Sequence, residues 1–386
     1  MEEDWKTVSN EENYASVSDL WDLTEADMLE EIWKDLPSDI LERILPWVPV
    51  RHLLRLRAVC KDWRSIFSAK SFQKLYSNIY QQEPWLLLFP EDDTTSLGYD
   101  PSSCKWITLP FNFLPLKSRS VASDNGLVCS MPKIGHSGLI YVCNPILKTW
   151  REVTRPLVLS RLFFLVIGVI VEKASATASS SFKIVVAGSE LISEDSSLFN
   201  LTTEVFDSRS SSWRRTGSIS VETPISAWKA VSNGVMYCLT RTRPNSVIGY
   251  NVAKGLWTKI EAPMPGNMTS VMLIDHRSRL HMVGGVRSQG VAYEICIWEL
   301  QNKNMEWVEV ERMPKELSAE LLMSSSKRFT CVGHGDLIYF SSKWFPQILL
   351  FSFSQRTWQW LQCCPGLLNP HYCMLRGLSF DPRLDV

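Results

Sequence analysis

The chain has 386 residues, 45% hydrophobic and 21% charged, so it can hold one to three globular domains and is neither fibrous nor wholly disordered. A formal net charge of −1 argues against a protein that binds mainly through a nucleic-acid phosphate backbone. The charge is unevenly placed, because residues 1–34 carry −9 and the remaining residues +8. We expect the acidic segment 1–34 to be largely disordered.

The N-terminal sequence is acidic where a secretory signal peptide would be basic. The longest apolar run, residues 162–171, is too short to span a bilayer and is predicted to form a buried strand. We therefore expect a protein of the nucleus, the cytoplasm or both, with no membrane partner. Its ten cysteines contain no Cys-x-x-Cys pair and are expected to be free thiols.

Residues 35–76 predict short helices, which Pro37, Pro46 and Pro49 separate. The first helical piece has an apolar face at Ile40, Leu41, Ile44 and Leu45, and the second has one at Leu53, Leu56, Val59, Cys60 and Trp63. A module of this size cannot enclose a core of its own. Either the rest of the chain or an external partner must cover part of these faces.

The order Leu-Pro, then two short apolar helices, then Val-Cys-Lys-x-Trp resembles the F-box. That resemblance implies docking on a Skp-type adaptor and, through it, on a cullin-based ubiquitin ligase. It assigns ten residues as the adaptor-facing or supporting set: Leu36, Pro37, Ile40, Ile44, Leu45, Leu53, Leu56, Val59, Cys60 and Trp63. For Val59 and Trp63, internal packing is the alternative.

A basic helix after a turn is also typical of a DNA-reading helix-turn-helix. In this stretch the basic side chains are spread around the helix, and the chain offers no wider basic surface. We therefore expect no direct nucleic-acid partner. Residues 77–84 are predicted to be a linker.

From residue 85 to 386 the sequence consists of short β-rich runs separated by turn residues. Six tryptophans repeat with spacings of 44, 63, 44, 50 and 51 residues, and each follows an apolar residue by seven positions. These tryptophans are Trp106, Trp150, Trp213, Trp257, Trp307 and Trp358. The pattern predicts a strand, a tight turn and a return strand that begins near the tryptophan.

Each unit also has an apolar run about 20–30 residues before its tryptophan, within the kelch period. The unit 279–314, with Gly284 and Gly285, is the copy most similar to a kelch repeat. The whole resembles the plant F-box/kelch-repeat proteins: a small all-α F-box followed by an all-β propeller of six blades, or alternatively seven. The first unit lacks a strand, and we predict that residues 375–380 supply it and close the ring.

The six histidines show no metal-binding spacing, and no phosphate loop or nucleophile elbow occurs. We therefore expect no catalytic, cofactor or metal site. Target binding is predicted for large or cationic residues in loops of the propeller. The candidates are Arg161, Trp228, Arg241, Arg243, Arg287, Lys343, Trp344 and Phe345. For Trp228 and Trp344, packing between blades is the alternative.

These observations favour a non-catalytic substrate adaptor of a Skp/cullin/F-box ligase, whose propeller binds a protein target for ubiquitination. Transcription regulators are among the candidate targets. One alternative is a non-degradative transcriptional cofactor that recruits a partner through the same propeller. Another is a propeller enzyme with a helical extension.

Overall fold

The computed structural model describes residues 6–7, 38–56, 60–79, 83–89, 95–132, 138–153, 163–172, 180–191, 198–241, 246–266, 268–287, 293–323, 328–342, 347–362 and 376–384. Within these ranges the chain forms a short helical region followed by six antiparallel sheets, which are the blades of a β-propeller. None of the described helices is long and apolar enough to cross a bilayer.

The helical module contains four helices and a 3-10 turn. They are α1 (Ser38–Ile44), the turn Leu45–Trp47, α2 (Val50–Leu56), α3 (Lys61–Ser68) and α4 (Lys70–Ile79). The second predicted helical piece is thus two helices, because α2 ends at Leu56 and Cys60 caps α3. The Cys60 thiol accepts a hydrogen bond from the Trp63 amide at 3.4 Å. Helix α4 runs past the boundary expected at residue 76.

Blades 1 to 3 follow the helical module, each ordered here from the propeller axis outward. Blade 1 consists of β25 (Arg376–Phe380), β2 (Trp85–Phe89), β3 (Thr95–Asp100) and β4 (Lys105–Pro110). Blade 2 consists of β5 (Ser118–Asp124), β6 (Leu127–Pro132), β7 (Ile140–Asn144), β8 (Thr149–Val153) and β1 (Lys6–Thr7). Blade 3 consists of β9 (Phe163–Glu172), β10 (Ser181–Leu191), β11 (Phe199–Asp207) and β12 (Ser212–Val221).

Blades 4 to 6 complete the ring. Blade 4 consists of β13 (Ile225–Ser232), β14 (Val235–Thr240), β15 (Val247–Asn251) and β16 (Leu256–Ile260). Blade 5 consists of β17 (Met268–His276), β18 (Arg279–Arg287), β19 (Tyr293–Gln301) and β20 (Glu306–Arg312). A short helix, α5 (Lys315–Leu321), leads to blade 6, which consists of β21 (Phe329–His334), β22 (Leu337–Ser342), β23 (Leu349–Ser352) and β24 (Thr357–Trp360).

In every blade the repeated tryptophan lies on the fourth strand from the axis. It is paired across the turn with the apolar residue seven positions earlier in the third strand. The six pairs are Tyr99 with Trp106, Cys143 with Trp150, Phe206 with Trp213, Tyr250 with Trp257, Leu300 with Trp307, and Phe351 with Trp358. In the last pair the ring centroids are 4.5 Å apart. The repeat predicted from the sequence is therefore a cross-strand contact, and the count of six blades is confirmed.

The C-terminal strand closes the ring, as predicted. Strand β25 pairs antiparallel with β2, from Trp85 opposite Phe380 to Phe89 opposite Arg376. The six inner strands then adjoin one another around the axis in the order β25, β5, β9, β13, β17, β21. The inner strands on either side of β9 are also linked, because the Lys229 ammonium of β13 donates to the Val121 carbonyl of β5 at 3.0 Å. No inner strand is left without neighbours on both sides.

The helical module shares one apolar core with blades 1 and 2. Leu45, Leu53 and Tyr76 belong to the same buried cluster as Trp85 of blade 1 and Tyr141 of blade 2. The rest of the chain therefore covers part of the module's apolar surface. This is one of the two ways in which so small a module was expected to bury its apolar faces.

Candidate functional site

Three of the predicted adaptor residues are buried inside the chain. Leu45 is 0% exposed, Leu53 2% and Trp63 6%, and all three lie in the core shared with the propeller. They can hold the helices in place, which is the supporting role, but they present almost no surface to another protein. For Trp63 this corresponds to the internal-packing alternative.

Four other predicted residues reach the surface of the module. Ile44 is 39% exposed and Cys60 is exposed, whereas Ile40 and Leu56 are half-buried. Ile40 and Ile44 lie one helical turn apart, on the same face of α1. Leu36, Pro37 and Val59 lie outside the described residues.

Among the described residues of the module, the largest exposed apolar side chain is one that the sequence pattern did not single out. Trp47 ends the 3-10 turn, and 65% of it is exposed. The next amide, Val48 N–H, donates to the Leu45 carbonyl at 3.0 Å, so the turn that carries the indole is closed by a hydrogen bond. An indole between Pro46 and Pro49 was the signal that could have revealed it. We call Ile40, Ile44 and Trp47 the α1 patch.

The exposed charges that the structure describes on α1 to α3 are mostly positive. Arg43, Arg55, Lys61 and Arg64 are exposed, against Asp39 and Glu42 on α1. Apolar side chains on a surface that also carries polar and charged groups are the usual anatomy of a protein-binding surface.

The two ends of the propeller differ in which connections they carry. Counted outward from the axis, each blade has four successive antiparallel strands. The turns that follow the first and the third strand therefore lie at one end of the propeller, and the connections that follow the second and the fourth strand lie at the opposite end. Helix α4 leads into the start of β2 at the first end, which we call the module end. The opposite, distal end carries the links between second and third strands and between blades.

The described members of the predicted target-binding set lie at the distal end or in the half of a strand nearer to it. Trp228 is the fourth of the eight residues of β13, which begins at the distal end. Arg241 follows β14, and Arg287 ends β18, although the Arg287 side chain lies outside the described part. Arg241 is exposed, and its amide donates to the Pro224 carbonyl at 2.9 Å. The other candidates, namely Arg161, Arg243, Lys343, Trp344 and Phe345, fall outside the described residues.

Trp228 is exposed because its strand is bulged. Ile225 pairs with Thr240 and Lys229 with Cys238, so three residues of β13 face one residue of β14. Such a bulge redirects side chains, and 39% of Trp228 is exposed. The larger part of Trp228 is still covered, and its packing between blades stays a prediction.

Two further apolar side chains are exposed at the distal end and were not predicted. Leu198, which precedes β11, is 40% exposed, and Met323, which follows α5, is 77% exposed. Exposed carboxylates at this end accompany them: Glu222, Glu261 and Glu316. The described part of the distal end therefore carries both charge signs around isolated apolar groups, where the sequence emphasised cations.

The ionisable groups inside the blades have structural partners. His281 is 1% exposed, its Nδ1 lies 3.0 Å from the Arg279 carbonyl oxygen, and its Nε2 lies 3.3 Å from Glu299 Oε2. Burial raises the pKa of the Cys129 and Cys238 thiols to about 12, so both are protonated at neutral pH. Across the ranges that the structure describes, no cluster of His, Cys, Asp and Glu could hold a metal ion.

Comparison with known proteins finds similarity along most of the chain. The family model F-box-like matches residues 33–81, and the model F-box protein At3g26010-like, beta-propeller matches residues 89–254. An F-box/kelch-repeat protein of Arabidopsis thaliana is 29% identical over 91% of this chain and 89% of its own length.

Two further relatives from the same plant carry informative names. F-box only protein 6 is 30% identical over 89% of this chain and 72% of its own length. SKP1-interacting partner 15 is 25% identical over 91% of this chain and 97% of its own length. The similarity thus includes both the helical module and the propeller.

Proposed function

Because this chain belongs to the plant family of F-box/kelch-repeat proteins, we propose that it serves as a substrate-recognition adaptor of an SCF-type ubiquitin ligase. In this proposal the helical module docks on a Skp-type adaptor, which links the chain to a cullin. The propeller binds the protein that is to be ubiquitinated. The name of one relative, SKP1-interacting partner 15, supports the first of these contacts.

The observation that carries the adaptor contact is the division of the module into a covered and an uncovered apolar surface. Leu45 and Leu53 are covered by the chain itself, whereas Ile44 and Trp47 are not. A large exposed indole on a closed turn loses little conformational freedom on binding, and tryptophan is enriched among energetically dominant interface residues. The α1 patch therefore supports docking on a partner.

The target contact is proposed for the distal end of the propeller. Trp228, Leu198 and Met323 offer apolar anchors there, and Arg241 offers a cation. The helical module adjoins the module end of the propeller and shares a core with blades 1 and 2. Packed structure therefore lies between the α1 patch and the distal end and connects them. A bound target would be held at a defined distance from the ligase, which raises its effective concentration without any chemistry from this chain.

We propose further that the chain is not itself a catalyst. The described buried thiols and His281 occupy structural positions, and family membership supports an adaptor. A non-degradative transcriptional cofactor would use the same two surfaces. A propeller enzyme would not need the α1 patch.

The adaptor contact is tested by co-expressing the full chain with a Skp-type adaptor. We expect a soluble binary complex, and we expect Trp47→Ala together with Ile44→Ala to weaken it at least about tenfold. The matched control is Leu75→Ala, which removes an apolar side chain of similar exposure, 40%, from α4. Undiminished binding by the double variant would contradict the docking surface.

The target contact is tested by affinity capture from plant extract while the ligase is inhibited. A genuine target should be lost with Trp228→Ala and retained with Leu256→Ala, which alters a 57% exposed side chain at the module end. Ubiquitination of the captured protein that requires the α1 patch would support the degradative function. Capture without ubiquitination would favour the cofactor, and turnover of a small molecule by the chain alone would favour the enzyme.

A further inference from the structure

The outer edge of blade 2 has a neighbour that comes from the start of the chain. Lys6 pairs with Trp150 and Thr7 with Thr149, antiparallel, so that β1 becomes a fifth strand on β8. Among the described residues, the outer strands of the other five blades pair on one side only. Blade 2 is therefore the blade to which the N-terminal strand of the chain is added. More than a hundred residues separate that strand from the rest of the blade in the sequence.

Strand β8 also differs from the other outer strands in burial. Glu152 is its one exposed residue, and Trp150 is 9% exposed. The outer strands of blades 3 and 5 instead alternate exposed and half-buried residues along most of their length. With β1 paired to it, β8 is an interior strand of the sheet, and its low exposure describes the occupied edge.

The cation that could protect this edge is engaged elsewhere. Exposed edges are commonly guarded by charged side chains that discourage pairing with another strand. Arg151, the central cation of β8, donates to Ser211 Oγ of blade 3 at 2.8 Å, and its guanidinium lies 5.9 Å from the centre of the Phe206 ring. Its side chain is thus held against the neighbouring blade, and the main chain of β8 is left open to pairing.

The resident strand is short enough to be released. Within the described residues two pairs hold it, whereas the chain between β1 and α1 must close a loop of about thirty residues, which costs conformational entropy. Strand addition of this kind depends on main-chain hydrogen bonds and tolerates many side chains. We propose that the outer edge of blade 2 is a strand-binding site that the chain's own N-terminal strand, β1, occupies reversibly in cis.

This site is distinct from the α1 patch and from the distal end, and it does not depend on the proposed function. It lies close to the helical module in one respect, because Trp150 belongs to the buried cluster that the module shares with blades 1 and 2. Occupation of the edge by β1 therefore places Lys6 and Thr7 on the blade whose Trp150 shares a buried cluster with the helices.

Hydrogen exchange of the full chain, measured by mass spectrometry, tests the proposal. In the native chain the amides of β8 should exchange more slowly than those of β16, an outer strand with no added neighbour. Lys6→Pro together with Thr7→Pro removes both donors and should raise the exchange of β8 at least about tenfold. Lys6→Ala with Thr7→Ala keeps the main-chain donors and should preserve the native pattern.

A peptide of residues 1–12 serves as the probe for an open edge. It should bind the double-proline variant and bind the native chain at least about tenfold more weakly, because β1 competes in cis. The same peptide with proline at both positions should bind neither. Equal exchange of β8 in the native and double-proline chains, or equal peptide binding by both, would overturn the proposal. Protection of β8 that increases with protein concentration would assign the strand to a second copy and would also overturn it.

Discussion

Trp85 and Phe380 lie opposite each other on β2 and β25, with ring centroids 6.4 Å apart, although they come from the two ends of the propeller sequence. Both are almost fully buried. The residues after Phe380 extend the closure into blade 2, because Asn144 Nδ2 donates to the Arg383 carbonyl at 2.9 Å and Leu384 is 4% exposed. Residues 376–384 therefore close the ring and contact both blade 1 and blade 2.

Deletion of residues 372–386 should abolish soluble expression of the chain. It removes β25, exposes the edge of β2 and leaves the inner strands β21 and β5 each without one of their two neighbours around the axis. The yield of soluble protein and its behaviour on size exclusion check this expectation. Deletion of residues 385–386 alone is the control and should be tolerated. A stable, monomeric protein lacking 372–386 would show that this closure is dispensable.

A glycine contact joins blades 3 and 4. The Gly217 amide donates to the Gly255 carbonyl at 2.8 Å, and a β-carbon on Gly217 would lie 2.4 Å from that oxygen. We expect Gly217→Ala to lower the free energy of unfolding by about 1–3 kcal/mol, because main chain cannot yield as a flexible side chain can.

The control for this substitution is Gly266→Ala. Apart from its chain neighbours, no atom of the described residues lies within 4 Å of a β-carbon at Gly266, and its main chain is not in the left-handed region. Its effect should stay within about 0.5 kcal/mol in the same denaturant titration. Equal midpoints for the two variants would mean that blades 3 and 4 can move apart at no cost.

Ile44 and Leu45 are consecutive in sequence, but alanine substitutions at the two positions should have different effects on the stability of the chain. Leu45 is fully buried, so Leu45→Ala should lower the free energy of unfolding by about 2–5 kcal/mol through the lost apolar contacts and the cavity. Ile44 is 39% exposed, so Ile44→Ala should cost less than about 1 kcal/mol. Thermal unfolding of the two variants measures the difference. A similar loss in both would mean that Ile44 is covered in solution.

The repeat could be predicted because it reflects a contact that every blade needs. Phe206 and Trp213 pair across a tight turn, and so do their counterparts in the other blades. A seven-residue separation therefore recurs in the sequence wherever such a turn recurs. Closure by residues 375–380 could be predicted for a related reason, because the first unit lacked a strand that only the C-terminal sequence could supply.

The exposed residues of the module, the added strand β1 and the exposure of Trp228 could not be predicted. Apolar periodicity shows which residues share a face, but it does not show which of them the rest of the chain covers. It placed Ile44 and Leu45 on one helical face, but only Leu45 is buried in the core that the module shares with the propeller. Trp47 stands in a turn, outside any helical pattern. The strand Lys6–Thr7 is too short to show alternation, and its partner is far away in sequence. The bulge that exposes Trp228 arises from the register between two strands.

A buried histidine in blade 5 should make the stability of the chain depend on pH near neutrality. His281 is 1% exposed, and burial lowers its pKa below the ordinary value of 6.5, despite the opposing effects of the Arg279 carbonyl and Glu299. As the pH falls below 6.5, the unfolded chain takes up a proton at this position that the folded chain still excludes. Stability should therefore be constant above that pH and decrease below it, until the lowered pKa is reached.

The substitution His281→Gln tests this expectation, because glutamine keeps a polar side chain but does not titrate. Urea midpoints between about pH 5.5 and 7.5 should fall with decreasing pH in the native chain and change less in the variant. The carboxyl groups of Glu172 and Glu294 also have lowered pKa values, held down by Lys183 and Arg312. Their contribution is lost only as the pH falls through and below about 4.5, so it does not enter this range. An identical pH dependence in the native chain and the variant would assign the effect to another group.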